Sequence, residues 1–320
     1  MTLFFAVMLL HVVRHIPIGG AGGWDYVTVD AAARRVYQSH SDRVVVIDAD
    51  KGTVVGTILN TPGVHGVAIA ADLNRGFVSD GRSDSVTVFD LKTLAAVAEW
   101  KTTGANPDSI LYEPKTKRLF TFNGRGKNAT VFNAVTGAVA ATIDLGGKPE
   151  FAVSDGTHVF VNIEDTSEIA IIDAKKLVVE KRAPLAPCEE PSGLAIDRKH
   201  HRLFSVCGNE TMAVTDAQTL RVITTLPIGK GTDGAAFDDA SQRAFSSNGA
   251  DGTVTVVHEL SPDKFVVEET VPTARGARTI ALDPKTHHLF LATAQFGPPV
   301  EGQRRPAVIE GTFELLEVGR

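Results

Sequence analysis

Residues 107–145, PDSILYEPKTKRLFTFNGRGKNATVFNAVTGAVAATIDL, hold four short β-branched or aromatic runs: SILYE, RLFTF, ATVFN and AVAATIDL. PKTK, NGRGK and AVTG lie between them. Extended runs of this length, bounded by Gly, Asn and Pro clusters, read as antiparallel strands joined by tight turns. The block recurs along the chain, as in VYQSHSDRVVVID (36–48), GFVSDGRSDSVTVFD (76–90), VFVNIEDTSEIAIID (159–173) and AFSSNGADGTVTVVH (244–258). Its aromatic mark falls at Tyr37, Phe77, Phe120, Phe160, Phe204, Phe245 and Phe290, at intervals of 40 to 45 residues. A period in the low forties with four strands per unit is that of propeller blades and not of a helical solenoid. LKTLAAVAEW alone has helical propensity, but it fills the slot of an outermost strand, and tertiary context overrides such a preference.

The chain is therefore expected to be an all-β, seven-bladed propeller of four antiparallel strands per blade, a single domain over residues 11–320. The last unit lacks its outer strand, and HVVRHIPI (11–18) has the character of one. It is expected to pair with TFELLEV (312–318) and close the ring, which removes the exposed edges that invite aggregation. Residues 1–10 are apolar but carry no basic segment and no small-x-small cleavage site, and read as a leader or signal-peptide remnant too short to span a bilayer. No stable membrane insertion is expected. A net charge of −6 and a pI near 5.9 argue against nucleic acid as a partner, because phosphate neutralisation needs a basic footprint.

The repeat resembles that of the YVTN-repeat, YncE-like family of seven-bladed propellers. VYQSH, FTFNG, FVNIED and FSSNG stand in its first slot, and VVVID, VTVFD and IAIID in its second. The resemblance implies the fold over residues 11–320 and an exported, periplasmic or secreted location. It leaves the activity open, since members serve as binding proteins, surface-layer modules and parts of redox enzymes, and related groups include lactonases. Function must come from the site.

Equivalent positions of successive blades form rings about the axis, so side chains that break the repeat there are informative. Where the chain reaches each innermost strand the third residues are Asp25, His65, Asp108, Glu150, Ser192, Asp233 and Arg278. A second ring, three residues past each aromatic, reads His40, Asp80, Asn123, Ile163, Cys207, Asn248 and Thr293, with Asn162 and Glu164 flanking Ile163. Strand alternation puts both sets of turns on one face, and the two rings are expected to be concentric at the channel mouth. Clustered carboxylates need a cation, a basic neighbour or a proton. A divalent metal on Asp25, His65, Asp108, Glu150 and Asp233 is one answer: Ca²⁺ if oxygen ligands dominate, Zn²⁺, Mn²⁺ or Fe²⁺ if histidine joins. With His65, His40 or Glu150 moving protons, such an ion would hydrolyse lactones, esters or phosphotriesters. The competing reading is a metal-free, non-catalytic mouth, monomeric, that binds a small molecule or a protein through a rim of Trp24, Asp80, Asn123, Asn162, Glu164, Glu189, Glu190, Asn248 and Arg278.

Three features complete the reading. Asp48, Asp90, Asn133, Asp173 and Asp216 precede turns on the opposite face and are assigned to turn formation. Cys188 and Cys207 fall in one blade; a disulfide is the first reading, with free thiols or metal ligands as alternatives. The insertion at 296–311, with Arg304 and Arg305, is long enough to lie over the mouth as a lid.

Overall fold

The computed structural model describes residues 9–298 and 306–320. Strands are short because turn residues interrupt every apolar run, and they gather into seven four-stranded antiparallel sheets. The first blade shows the plan, with strands Trp24–Asp30, Arg35–His40, Arg43–Asp48 and Thr53–Ile58 running from the axis outward. Among the described residues the only helical pieces are single 3₁₀ turns at Ala71–Leu73 and Glu164–Thr166, and no helix is long and apolar enough to cross a membrane. LKTLAAVAEW supplies the outer strand Ala96–Lys101.

The aromatic of each second strand is the packing element between blades. Tyr37, Phe77, Phe120, Phe160, Phe204, Phe245 and Phe290 are all at most 3% exposed. Both faces of these strands are covered by neighbouring blades, so even the polar residues at their ends are buried. The last sheet combines Ile280–Asp283, His288–Thr293 and Glu314–Gly319 with the N-terminal strand His11–Pro17, which pairs antiparallel to Glu314–Gly319. Leu10, ahead of that strand, is buried in the core between the sixth and seventh blades, so the folded unit includes it. Residues 1–8 of the expected leader, and Arg304 and Arg305 of the insertion, lie outside the described residues.

Turn chemistry is local and repetitive. Asp48 Oδ1 accepts from the backbone N–H groups of Asp50 and Lys51, and Asp90, Asn133, Asp173 and Asp216 each do the same for the residues two and three ahead. These Asx turns end the third strand of five blades on the face away from the candidate mouth. In the sixth blade the third and fourth strands are longer, Thr253–Ser261 and Lys264–Pro272, and form a hairpin that extends past that face.

Phe120 is fully buried in the core between the third and fourth blades, whereas Val97 on an outer strand is 59% exposed. Replacing Phe120 with Ala should cost about 3–5 kcal/mol in urea denaturation, and Val97→Ala about 0.5 kcal/mol or less.

Candidate functional site at the channel mouth

Six of the seven innermost strands start with a register break. The ladder slips between Trp24 and Val27, Val64 and Val67, Pro107 and Ile110, Pro149 and Ala152, Pro191 and Leu194, and Thr232 and Gly234. Bulges re-aim side chains, and here each break contains the ring residue of the first six blades. The side chains do converge. His65 Nδ1 is 2.6 Å from Asp25 Oδ2 and 3.5 Å from Asp108 Oδ1. Arg278 Nε donates to Asp233 Oδ2 at 2.8 Å, and its Nη2 lies 3.6 Å from Asp25 Oδ1. Tyr26, one residue past the first ring position, meets Phe151 edge-on at 5.4 Å. A contact between the first and fourth blades can only be made across the axis. The Tyr26 hydroxyl is held well above its ordinary value by burial and by the fields of Asp108, Glu150, Asp25 and Asp233.

The ring is not one metal cage. Only Asp25, His65 and Asp108 bring one ligand atom each to within 4.8 Å of one another. Glu150 is held instead by Lys148, whose Nζ is 2.6 Å from its Oε1 and which also binds Glu164. Asp233 is held by Arg278.

Protonation follows from crowding in a shielded site. Burial alone would lower the pKa of His65, but the hydrogen bond to Asp25 and the charges of Asp108, Asp25 and Glu150 outweigh it and lift it to about 9. Glu150 is pushed up to about 9, first by burial and then by the Asp108 carboxylate, with Lys148 opposing. Asp108 is also raised, by burial, although His65 pulls it down. At neutral pH His65 is therefore an imidazolium and Glu150 a neutral acid. Both are proton donors, and neither is placed to act as a general base.

The second ring is not at the mouth. His40 is fully buried, stacked on Phe313 at 4.1 Å, and its pKa is lowered to about 4 by burial and by Arg43. Asp80 is buried against Thr87 Oγ1 and raised to about 7 by desolvation. The side-chain amides of Asn123 and Asn248 donate to Asn128 and Thr130, and to Thr253 and Thr255. Asn162 donates to the carbonyls of Ser192 and Gly193. Their position, three residues beyond a buried aromatic and two for Asn162, lies on a strand covered on both sides, so these groups satisfy the interior of the blades. Concentric rings are thus corrected to a single ring. Glu189 and Glu190 are exposed on the fifth blade, and Cys188 and Cys207 beside them form a buried disulfide with Cα atoms 5.6 Å apart.

Two cavities flank the ring. One of about 410 Å³ is lined by Asp25, His65, Arg82, Asn106, Arg125 and Arg278 among others. With His65 charged it presents four cationic side chains against the Asp25 carboxylate. Arg82 and Arg125 are exposed, and among the described residues neither makes an ion pair. Gly81 packs so close to the imidazole that a Cβ there would stand 2.5 Å from His65 Nε2, which leaves that edge open only to glycine. Asn106 Nδ2 lies 3.2 Å from the same nitrogen, and a doubly protonated ring requires the amide turned over so that its oxygen accepts there. The other cavity, about 360 Å³, is lined by Trp24, Phe296, Pro306, Val308, Arg275 and Arg278, with Arg278 Cζ 5.8 Å from the Trp24 ring. Phe296 and Val308 of the insertion bridge to one another as part of its wall.

Sequence reading missed Arg82, Arg125, Asn106 and Lys148, although a positional signal existed. Arg82 and Arg125 stand two residues beyond Asp80 and Asn123, and Asn106 and Lys148 two before Asp108 and Glu150, where other blades have Gly23, Gly63, Gly231 and Gly276.

No family model and no curated protein matches this sequence. Among solved structures the chain is similar to one in the crystal structure of the mitotic checkpoint complex, with a TM-score of 0.78 at 13% identity over 91% of each chain. It is also similar to U3-55K, with a TM-score of 0.80 at 9% identity over 95% of this chain and 98% of the other. At such identities the likeness shows the propeller fold alone.

The ion pairs set a pH dependence. A histidine raised in the folded state stabilises it in full below the ordinary value of about 6.5, and the contribution is lost as pH rises through about 9. Glu150, raised from 4.5 to about 9, also loses its stabilising contribution as pH rises, over the wider span between those two values, so both effects run the same way. Imidazole NMR should place the His65 midpoint near 9 and, in Asp25→Asn, at a lower pH; denaturation midpoints should fall between about pH 7 and pH 10 in the parent and fall less in the variant.

Proposed function

We propose that this chain is an exported recognition propeller that binds an anionic ligand at the channel mouth without transforming it. The observation that carries the reading is the cation cluster of the 410 Å³ cavity: an imidazolium fixed between Asp25 and Asp108, beside the exposed guanidinium groups of Arg82 and Arg125. Arginine is the side chain suited to planar, bidentate recognition of carboxylate or phosphate. The adjoining cavity of Trp24, Phe296 and Val308 supplies an apolar wall for the rest of such a ligand, in the usual arrangement of a few polar groups set in hydrophobic surroundings. Export is supported by the Cys188–Cys207 disulfide, a bond that persists in oxidising compartments, and by the resemblance of the repeat to YVTN, YncE-like propellers.

A panel of small carboxylates and phosphate esters, titrated calorimetrically, should include binders whose affinity falls as salt rises. Arg82→Ala with Arg125→Ala should together weaken them by about a hundredfold or more, because charge-assisted hydrogen bonds contribute about 1.5–3 kcal/mol each. Binding that ignores both substitutions, or no binding across the panel, would remove the reading.

A second reading, a metal-dependent hydrolase, is favoured by one observation: Asp25, His65 and Asp108 present ligand atoms within 4.8 Å of one another from three successive blades. Ligation through His65 Nδ1 requires its proton to leave, so metal uptake would strengthen toward pH 9 and release protons. On the recognition reading, protein washed with chelator gains no Zn²⁺ or Mn²⁺ that His65→Ala abolishes, and it is silent on lactones and phosphotriesters. Stoichiometric metal lost with His65→Ala, accompanied by turnover, would instead establish the hydrolase.

A further inference from the structure

On the face opposite the mouth, the turn after the innermost strand of the fifth blade meets the long outer hairpin of the sixth. Asp197 ends that strand, His200 lies in the turn, and Glu259 lies on the extended strand Thr253–Ser261. Asp197 and Glu259 have fully buried side chains, and His200 is 22% exposed. Asp197 Oδ1 does the ordinary work of a turn-capping aspartate, accepting from the backbone N–H groups of Lys199 and His200. Its other oxygen is the anomaly. At the equivalent Asp283, Oδ2 accepts from Arg34 and Thr286, and at Asp238 it accepts from Ser241. At Asp197 Oδ2 accepts no hydrogen bond, its nearest donor being the shared His200 Nδ1, and Glu259 Oε2 is buried without a hydrogen-bond partner as well.

One imidazole N–H cannot serve both acids. His200 Nδ1 is 2.9 Å from Glu259 Oε1, with which it hydrogen-bonds, and 2.7 Å from Asp197 Oδ2, which it leaves unbonded. The nearby Arg202 spends its donors on Asp216, Asp263 and the carbonyls of Pro262, His200 and His201. Arg198 donates to the Ser154 carbonyl. Two buried carboxylates with an unused oxygen each share a single imidazole nitrogen, and carboxylate oxygens buried without their full complement of donors are costly.

We propose that Asp197, His200 and Glu259 form a structural divalent-cation site that fastens the fifth blade to the sixth. Their ligand atoms lie within 4.8 Å of one another. One nitrogen and two carboxylate oxygens suit Zn²⁺, Co²⁺ or Mn²⁺, and the partly open His200 side leaves room for water as a further ligand. The ion takes the place of the Nδ1 proton and supplies both orphaned oxygens. The site is independent of the mouth: it lies at the other end of the innermost strands and shares no residue with it.

The test is Co²⁺ titration of chelator-washed full-length protein, followed by visible absorption and by the thermal midpoint. The parent should take up Co²⁺ saturably at this site and gain thermal stability with it. Glu259→Gln and Asp197→Asn, which preserve shape, the latter also the Oδ1 cap, should each lower Co²⁺ affinity by about a hundredfold or more, while His65→Ala leaves the signal intact. Circular dichroism of the metal-free variants checks that they fold. Co²⁺ uptake unchanged in both carboxylate variants, uptake abolished only by His65→Ala, or no saturable uptake by the parent would overturn the proposal and leave Asp197 and Glu259 as a pair sharing a proton.

Discussion

Ring closure is the constraint on which everything else in this molecule rests. The strand His11–Pro17 completes the sheet begun by Ile280–Asp283 some 260 residues later in the chain, by pairing with Glu314–Gly319. Without that ladder the seventh sheet would lose its outer strand and expose an edge. Closure also fixes the number of blades, and with it the width of the central channel. The ionisable ring exists only because seven strand beginnings are compelled toward one axis. Single carboxylates placed on separate surface loops would keep ordinary properties. Brought together in a shielded mouth, they draw protons onto His65 and Glu150 and force each remaining charge to find a cation.

That electrostatic settlement bears on function. The mouth balances itself internally: His65 lies between Asp25 and Asp108, Arg278 between Asp233 and Asp25, and Lys148 against Glu164 with the protonated Glu150 beside it. A network so paired needs no further ion to be stable, although one could replace the His65 proton. What it leaves over is positive charge on its outer side, at Arg82 and Arg125. The acidic net charge of the whole chain, which argues against polyanions at large, therefore says little about a small anion at this one place.

The fold was legible in the sequence because its determinants are local and recur from blade to blade, the aromatic in all seven and the Asx turn in five. One buried aromatic per blade, an Asx turn after the third strand and a period near forty survive large changes at every other position. The innermost-strand ring was legible for the same reason, since Asp25, His65 and Asp108 occupy a register that the repeat defines. The ring assigned to His40, Asp80, Asn123 and Asn248 was misplaced because its position in the register gives the end of the strand but not the direction of the side chain. On a strand packed by blades on both faces, either direction leads inward, and His40 ends against Phe313. Arg82 and Arg125 were missed for the opposite reason: turn residues were read for their part in making the turn, not for what they present beyond it.

The Asp197 site could not have been read from periodicity at all, because it arises where two blades depart from the repeat in complementary ways. Glu259 follows the position at which most blades have an Asx cap and the sixth has His258, and the hairpin continues past it to Ser261. Extension carries that carboxylate onto the turn of the preceding blade, where Asp197 already has one oxygen committed to the backbone. At Asp283 and Asp238 the second oxygen finds an arginine or a hydroxyl; here the neighbour is another acid. A fold that repeats its turn chemistry this faithfully makes such an exception informative, since at Asp238 and Asp283 a donor in the chain meets the second oxygen, whereas at Asp197 the nearest groups are a second carboxylate and one shared imidazole.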